Sequence, residues 1–269
     1  MKKTYIYIAL LISSIVFLFS SCNRIPEEQR LIEVDHVATD GKRTVLLEDF
    51  TGELCVNCPK AALEIHKLKE LYKDKVVAVG LHGSDAFTPK GSPLRCDDAV
   101  AYYLRFANGA GLPAGMIDRK KFPDNAGVVI DGYATWAGFI KQELELPQLY
   151  QIEGSAKIDE NEEQLQVTVK VTAVDGGEHP EKAMLQLWLI EDGIIYNQVG
   201  VENKTSYEHN HVLRGAINGT WGEALEVGKT YSYNYQLPKI ENSGNCSLVA
   251  FVYDAKNMEV LEAFQTKVK

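Results

Sequence analysis

Glu48-Asp49-Phe50-Thr51-Gly52-Glu53-Leu54-Cys55-Val56-Asn57-Cys58-Pro59-Lys60 is the stretch on which the fold turns. Before it runs a short β-prone segment, Thr44 to Phe50 (Thr-Val-Leu-Leu-Glu-Asp-Phe). After it, from Pro59 to Tyr72, Ala61, Ile65, Leu68 and Tyr72 recur at the spacing of one helix face. Pro59 suits a first helical turn, where a missing N–H costs nothing. The two cysteines therefore sit between a strand and a helix, with Gly52 in the turn. At a helix start the free N–H groups and the macrodipole stabilise a thiolate, which lets the first cysteine attack. Two intervening residues let the second reach back and resolve a mixed disulfide. A strand, a Cys-x-x-Cys turn and a helix in this order are the context in which that spacing reads as a redox dithiol.

Moving outward, Lys75 to Leu81 (Lys-Val-Val-Ala-Val-Gly-Leu) is a continuous apolar run of the kind buried on both faces of an α/β sheet. A loop is expected from Gly83 to Pro93, then a helix from Asp97 to Phe106 capped by Asp97 or Asp98. Gly109, Gly111, Leu112 and Pro113 precede a strand near Met116 to Asp118, and a further helix is expected from about Asp131 to Leu144. This alternation argues for a layered α/β domain. Beyond Pro147 the period falls to two: Leu165, Val167, Val169 and Val171 share one face, and Tyr231, Tyr233, Tyr235 and Leu237 alternate with polar residues. Further strands are expected at Gln151 to Ile158, Ala183 to Ile190, His209 to Ile217, Ser247 to Tyr253 and Met258 to Lys267. About seven strands with turns such as Asp192-Gly193 and Asn218-Gly219 suggest an immunoglobulin-like β-sandwich, although no Cys-Trp-Cys signature accompanies Trp188. The expected fold class is α/β plus all-β, with domains at 37–148 and 149–269.

The chain has 269 residues, 45% hydrophobic and 24% charged, with 28 Lys and Arg against 37 Asp and Glu and a net charge of -9. That hydrophobic content excludes a disordered chain, and the acidic balance excludes a nucleic-acid binder, which needs a basic face. At the start, Met1-Lys2-Lys3 precedes an apolar run from Ile6 to Phe19 and then Ser20-Ser21-Cys22. A basic start, a run shorter than a bilayer-spanning helix and a small-residue junction read as a secretory signal over 1–21. Ser20-Ser21-Cys22 resembles a bacterial lipobox, whose cysteine is acylated, with Phe19 standing where Leu is usual. That implies a lipid bilayer partner through Cys22, followed by a polar tether over 22–36. Export also permits disulfides. Besides Cys22 there remain Cys55, Cys58, Cys96 and Cys246, and the last two either pair or stay as thiols.

The central stretch is similar to the active-site strand, loop and helix start of thioredoxin-like proteins. The resemblance implies that Asp49, six positions before Cys55, lies buried under the dithiol and assists proton transfer. It also implies that Leu112-Pro113 is the cis-proline segment whose backbone docks substrate peptide. Leu54 replaces the usual aromatic residue and Val56-Asn57 the usual Gly-Pro, so potential and partner are not carried over. A second resemblance covers nearly the whole mature chain. The lipobox, Phe50-Thr51-Gly52 with Cys55-Val56-Asn57-Cys58-Pro59, Gly111-Leu112-Pro113 and His209-Asn210-His211-Val212-Leu213-Arg214 resemble the 28-kilodalton outer-membrane lipoprotein family of Bacteroidetes. That family is thioredoxin-like in its first domain and immunoglobulin-like in its second, and it implies a location and a fold rather than a reaction.

Each residue has a plainer alternative. Cys55 and Cys58 could form a structural staple, Asp49 could be an exposed strand end, and Pro113 an ordinary turn proline. A metal at the dithiol would need two further ligands, which no nearby Cys-x-x-Cys or His pair provides. Haem attachment is disfavoured because Pro59 stands where histidine is required. His209 and His211 would share a strand face, where a polar sandwich surface beside Tyr207 is the simpler reading than a metal site. His66 reads as solvated, Asp159 to Glu163 as an acidic hairpin turn, and the Asn203 and Asn218 triplets as chance matches to a glycosylation site. Two functions follow. One is thiol-disulfide exchange with a protein partner, with Cys55 attacking, Cys58 resolving, Asp49 relaying a proton and no cofactor. The other is a binding or assembly lipoprotein that keeps the disulfide for rigidity.

Overall fold

Val45–Phe50 forms β1, six successive buried residues inside the main sheet. In this computed structural model the described residues are 41–269 except 124 and 160–162. The expected signal, tether and acylated Cys22 lie outside them, as does most of the acidic Asp159 to Glu163 turn. The pleat of β1 sends Val45 and Leu47 into one core and Leu46 and Phe50 into another. Asp49 therefore shares the face of Val45 and Leu47, and Glu48 shares the opposite one.

Helix α1 (Cys58–Tyr72) follows, burying Cys58, Ala61, Ile65 and Leu68 along the expected stripe. A 3-10 turn at Lys73–Lys75 leads into β2 (Val76–Leu81), which pairs parallel to β1 from Val45↔Val76 to Phe50↔Leu81. Next come α2 (Asp97–Tyr102), a π-helical turn (Tyr103–Ala107), β3 (Ala114–Ile117) antiparallel to β1, β4 (Ile130–Asp131) and α3 (Trp136–Leu144). The remainder is mostly strand: β5 (Tyr150–Ile158), β6 (Gln164–Ala173), β7 (Ala183–Glu191), β8 (Ile194–Tyr196), β9 (Tyr207–His209), β10 (Val212–Ala216), β11 (Glu223–Ala224), β12 (Thr230–Gln236), β13 (Cys246–Asp254) and β14 (Val260–Lys267). The class is thus mixed α/β followed by mostly β.

One sheet gathers strands from both parts in the order β14-β13-β7-β10-β2-β1-β3-β4, with β11 beside β7. The join is a single parallel pairing, Val212↔Gly80, fixed by the Gly80 N–H donating to the His211 carbonyl at 2.8 Å. Position 148 lies between α3 and β5, so this sheet runs across it. Alternation along β7 serves two cores: Leu185, Leu187 and Leu189 meet the separate three-stranded sheet β12-β6-β5, while Trp188 and Ile190 join Leu46, Phe50 and Tyr102. Helices α1 and α3 cover the remaining face of β1 and β2.

Four local expectations change. Cys96, not Asp97 or Asp98, caps α2, its sulfur accepting from the Ala99 N–H at 3.5 Å. Asp98 instead binds the Ala216 N–H and the Thr220 hydroxyl, contacts between distant segments that local propensity does not encode. The last helix starts at Trp136, because Ile130–Asp131 pairs with β3. The strand expected over His209 to Ile217 is broken: His211 adopts φ 49°, ending β9 and redirecting the chain into β10. His209 and His211 consequently do not share a strand face.

Candidate functional site

Cys55 and Cys58 form a disulfide with S–S 2.07 Å and Cα–Cα 5.4 Å, at the entry to α1. The loop carrying it is held from two sides. On one, the Thr51 N–H donates to the Leu81 carbonyl at 3.3 Å and the Leu54 N–H to the Phe87 carbonyl at 2.9 Å. Gly52 lies so close to Phe87 that a Cβ would stand 2.6 Å from the Phe87 carbonyl oxygen, which is why glycine occupies the turn. On the other, the Val199 N–H donates to the Glu53 carbonyl at 2.8 Å and Gln198 Nε2 to the Cys55 carbonyl at 2.9 Å. Between these supports Cys55 is 1% exposed and Cys58 2%, while their neighbours Leu54 and Val56 are 45% and 63% exposed.

Cys58 lines a cleft of about 840 Å³ together with Asp49, His82, Tyr207, His209 and His211. Asp49 is buried, its Oδ1 has no hydrogen-bond partner, and burial raises its pKa to about 8. A carboxyl taken out of water without a counter-charge favours the neutral acid. His82, two residues beyond the Gly80 that pairs with Asp49, has neither ring nitrogen partnered. Burial, with the neighbouring His209, lowers its pKa to about 3. The two rings meet edge to face at 5.6 Å. Burial also lowers His209 to about 4, and His209 Nε2 lies 3.1 Å from the Asn197 carbonyl. His211 is depressed by burial against an opposing hydrogen bond with Asp192. Near neutral pH this cleft holds a protonated acid and uncharged imidazoles. Among the described residues, no group of three or more His, Cys, Asp or Glu is placed to hold a metal.

On another side of the loop, Leu112 and Pro113, joined by a cis bond, line a cleft of about 440 Å³ with Asn57, Lys60, Asp131 and Tyr133. Of the expected site residues, Cys58 and Asp49 line one cleft and Leu112 and Pro113 the other, while Cys55 lines neither. Cys96 and Cys246 are both free thiols, raised to about 11 and about 12 mainly by burial. His66 is exposed at 3.4 Å from Glu70, in line with a solvated position.

Residues 100–269 match the sequence profile of the family described as outer membrane protein Omp28. The chain belongs to the Omp28 family. It is accordingly an outer-membrane protein, and among the described residues no helix is long and apolar enough to cross a membrane. A domain of the Omp28 lipoprotein of Porphyromonas gingivalis is 30% identical over 45% of this chain and 89% of its own, with a TM-score of 0.36. HBP35 of Porphyromonas gingivalis shares 20% identity across 86% of this chain and 77% of its own length, with a TM-score of 0.67. Protein AGR_C_4864 of Agrobacterium tumefaciens shares 14% identity across 85% and 95%, with a TM-score of 0.53. The last two likenesses concern the fold. No curated protein matches the chain. For this Omp28 protein sequence reasoning missed His82 and Gln198. His82 was legible in principle, since it continues the period of Ala78 and Gly80 toward the α1 face. Gln198 carried no signal, because its role depends on a contact with Cys55 across 143 positions.

Proposed function

We propose that this Omp28 protein is a lipid-anchored envelope protein, acylated at Cys22, that exchanges thiols and disulfides through Cys55 and Cys58. The reading takes 37–148 as thioredoxin-like and 149–269 as immunoglobulin-like, with the main sheet shared between them. What carries it is Asp49: a buried acid, neutral up to about pH 8, in the same cleft as Cys58. A purely structural disulfide gains nothing from an unpaired carboxyl under it, whereas a leaving thiolate needs a proton.

In the oxidised form a partner thiolate attacks Cys55 Sγ, forming a mixed disulfide and breaking the Cys55–Cys58 bond. Cys58 leaves with the electron pair and takes the proton of Asp49. The partner's second thiol, deprotonated, then attacks its own half of the mixed disulfide and releases Cys55. The partner ends oxidised and Cys55/Cys58 hold its two electrons; the reverse sequence reduces a partner. The Leu112-Pro113 cleft, beside Asn57, is where the partner backbone docks. Titrating the soluble chain from residue 37 and the full chain against glutathione or dithiothreitol tests the reading. A potential between about -120 and -270 mV supports exchange, and one below about -300 mV would mark a structural staple.

The second reading, a binding or assembly lipoprotein with a rigidifying disulfide, is favoured by one observation, the 1% exposure of Cys55.

A further inference from the structure

Cys55 is buried, and the backbone on both sides of it is clamped by one segment from the second half of the chain. We propose that Asn197–Gly200, carried on the β8–β9 hairpin, is a strap that must lift from the dithiol loop before a thiol can reach Cys55. The proposal rests on the exchange reading and concerns the regulation of that site.

Four contacts make the strap. The Val199 N–H donates to the Glu53 carbonyl at 2.8 Å, adding a backbone bond at the loop. Buried Gln198 places Nε2 at 2.9 Å from the Cys55 carbonyl, 3.0 Å from the Val199 carbonyl and 3.5 Å from the Gly52 carbonyl, so two N–H groups serve the loop and the strap together. Gly200, at φ 82°, lies against Val56 so closely that a Cβ would stand 2.1 Å from its carbonyl oxygen. The Asn197 carbonyl sits 3.1 Å from His209 Nε2, tying the strap back to its own hairpin. All the contacts to the dithiol loop fall on backbone oxygens or backbone surface, none on a sulfur.

The strap leaves and rejoins the body of the protein through one short hairpin. β8 and β9 pair only with each other, Ile194↔His209 through Tyr196↔Tyr207, and belong to neither larger sheet. Both its ends carry left-handed residues, Gly193 at φ 76° and His211 at φ 49°. Asp192 and Asn210 hold those ends in register, accepting the N–H groups of His211 and Gly193 at 2.7 and 2.9 Å. Ile194 is buried with Leu94 and Val212 and His209 packs on His82, so β8 and β9 stay seated while Asn197–Gly200 lifts; that breaks the bonds above and leaves every ladder of the main sheet intact, a local opening. While the strap is down, attack at Cys55 Sγ is slowed by the fraction of molecules open.

The test uses the full chain in detergent, with dithiothreitol as the probe. One dithiothreitol sulfur attacks Cys55, Cys58 leaves, and the second dithiothreitol sulfur closes its ring and frees Cys55, so two electrons pass to the protein. Gln198→Ala should be reduced at least about tenfold faster than wild type, and Gly200→Ala should move the same way. The equilibrium potential should not change, because the strap touches no sulfur. In wild type the Val199 amide should exchange with solvent far faster than the Leu46 amide of β1. Unchanged reduction rates in folded variants would overturn the strap. So would a Val199 amide that exchanges only with global unfolding, a result that needs no variant at all. A faster rate at a potential in the structural range would keep the strap and sink the exchange reading, and an unchanged rate at a potential in the oxidoreductase range would do the reverse.

Discussion

Glu48, Asp49 and Glu53 lie within six residues of one another, are all buried, and are treated in three different ways. Glu48 faces the larger core, where Arg119 meets it with two bonds of 2.8 Å. Asp49, its neighbour, faces α1 and has an oxygen with no partner. Glu53, past the turn, receives one hydroxyl, from Ser92. Burial favours the neutral form of every carboxyl, and what decides the outcome is the number and charge of the donors supplied. Two guanidinium donors tie Glu48 into the fold, whereas an oxygen left without a donor favours a retained proton at Asp49.

The Glu48–Arg119 pair gives the largest expected effect. The guanidinium carbon also lies 5.1 to 5.8 Å from the ring centres of Tyr102, Phe106, Trp188, Phe251 and Tyr253, aromatic residues in or packed against the core to which β1, β7 and β13 all contribute. Arg119→Met leaves Glu48 buried in that core without its partner, a loss of about 3–5 kcal/mol. In a chain of this size that lowers the melting temperature by on the order of 10 °C. Glu48→Gln combined with Arg119→Met should recover much of the loss, since no unpaired ionisable group remains. A single variant melting within about 2 °C of wild type would erase the contrast with Asp49.

Asp49→Asn should move the opposite way. The folded pKa is raised to about 8, against an ordinary aspartate near 3.9, so the folded chain retains a proton that the unfolded chain has lost. Wild type is thus fully stabilised below about pH 4 and loses stability as pH rises to about 8. The variant lacks that slope and should be the more stable protein at pH 9, by on the order of a few kcal/mol, with no difference at pH 4. Asp118 and Glu262, raised by burial to about 7 and about 8, titrate in the same direction, so the difference between the two proteins is the quantity to read by denaturant unfolding across pH. If Asp49 supplies the proton to Cys58, thiol exchange in the variant slows and loses its inflection near pH 8. Greater stability together with slower exchange separates a stored proton from a structural defect.

How far the sequence discloses this contrast depends on the distance between the partners. The placement of β1, α1 and β2 was legible because period and turn chemistry are local, and Asp49 was singled out only by the resemblance to thioredoxin-like proteins. The fate of Glu48 was not, since Arg119 lies 71 positions away and reaches it only after β3 has turned back along β1. The break at His211 was hidden for the same reason: an isolated strand pattern runs straight through it, and only the Asp192 carboxylate and the pairing with Gly80 hold the left-handed residue in place. The shared main sheet rests on one parallel pairing between segments 132 positions apart, which no periodicity reports.

Glu53 sharpens the comparison with the smallest effect. Ser92 Oγ donates to its carboxylate and also accepts the Leu94 N–H at 3.3 Å. Burial raises the Glu53 pKa and the Ser92 hydroxyl pulls it back down. Ser92→Ala removes that correction, so the acid titrates higher and the carboxylate loses its donor. Denaturant midpoints should fall by the equivalent of about 1 kcal/mol at pH 8 and by less at pH 5, where more of the acid is neutral and needs no donor. An equal loss at both values would mean that Glu53 keeps its proton throughout. It would then belong with Asp49 as a second neutral acid beside the dithiol, and the hydroxyl would be serving Leu94 and the loop instead of a charge.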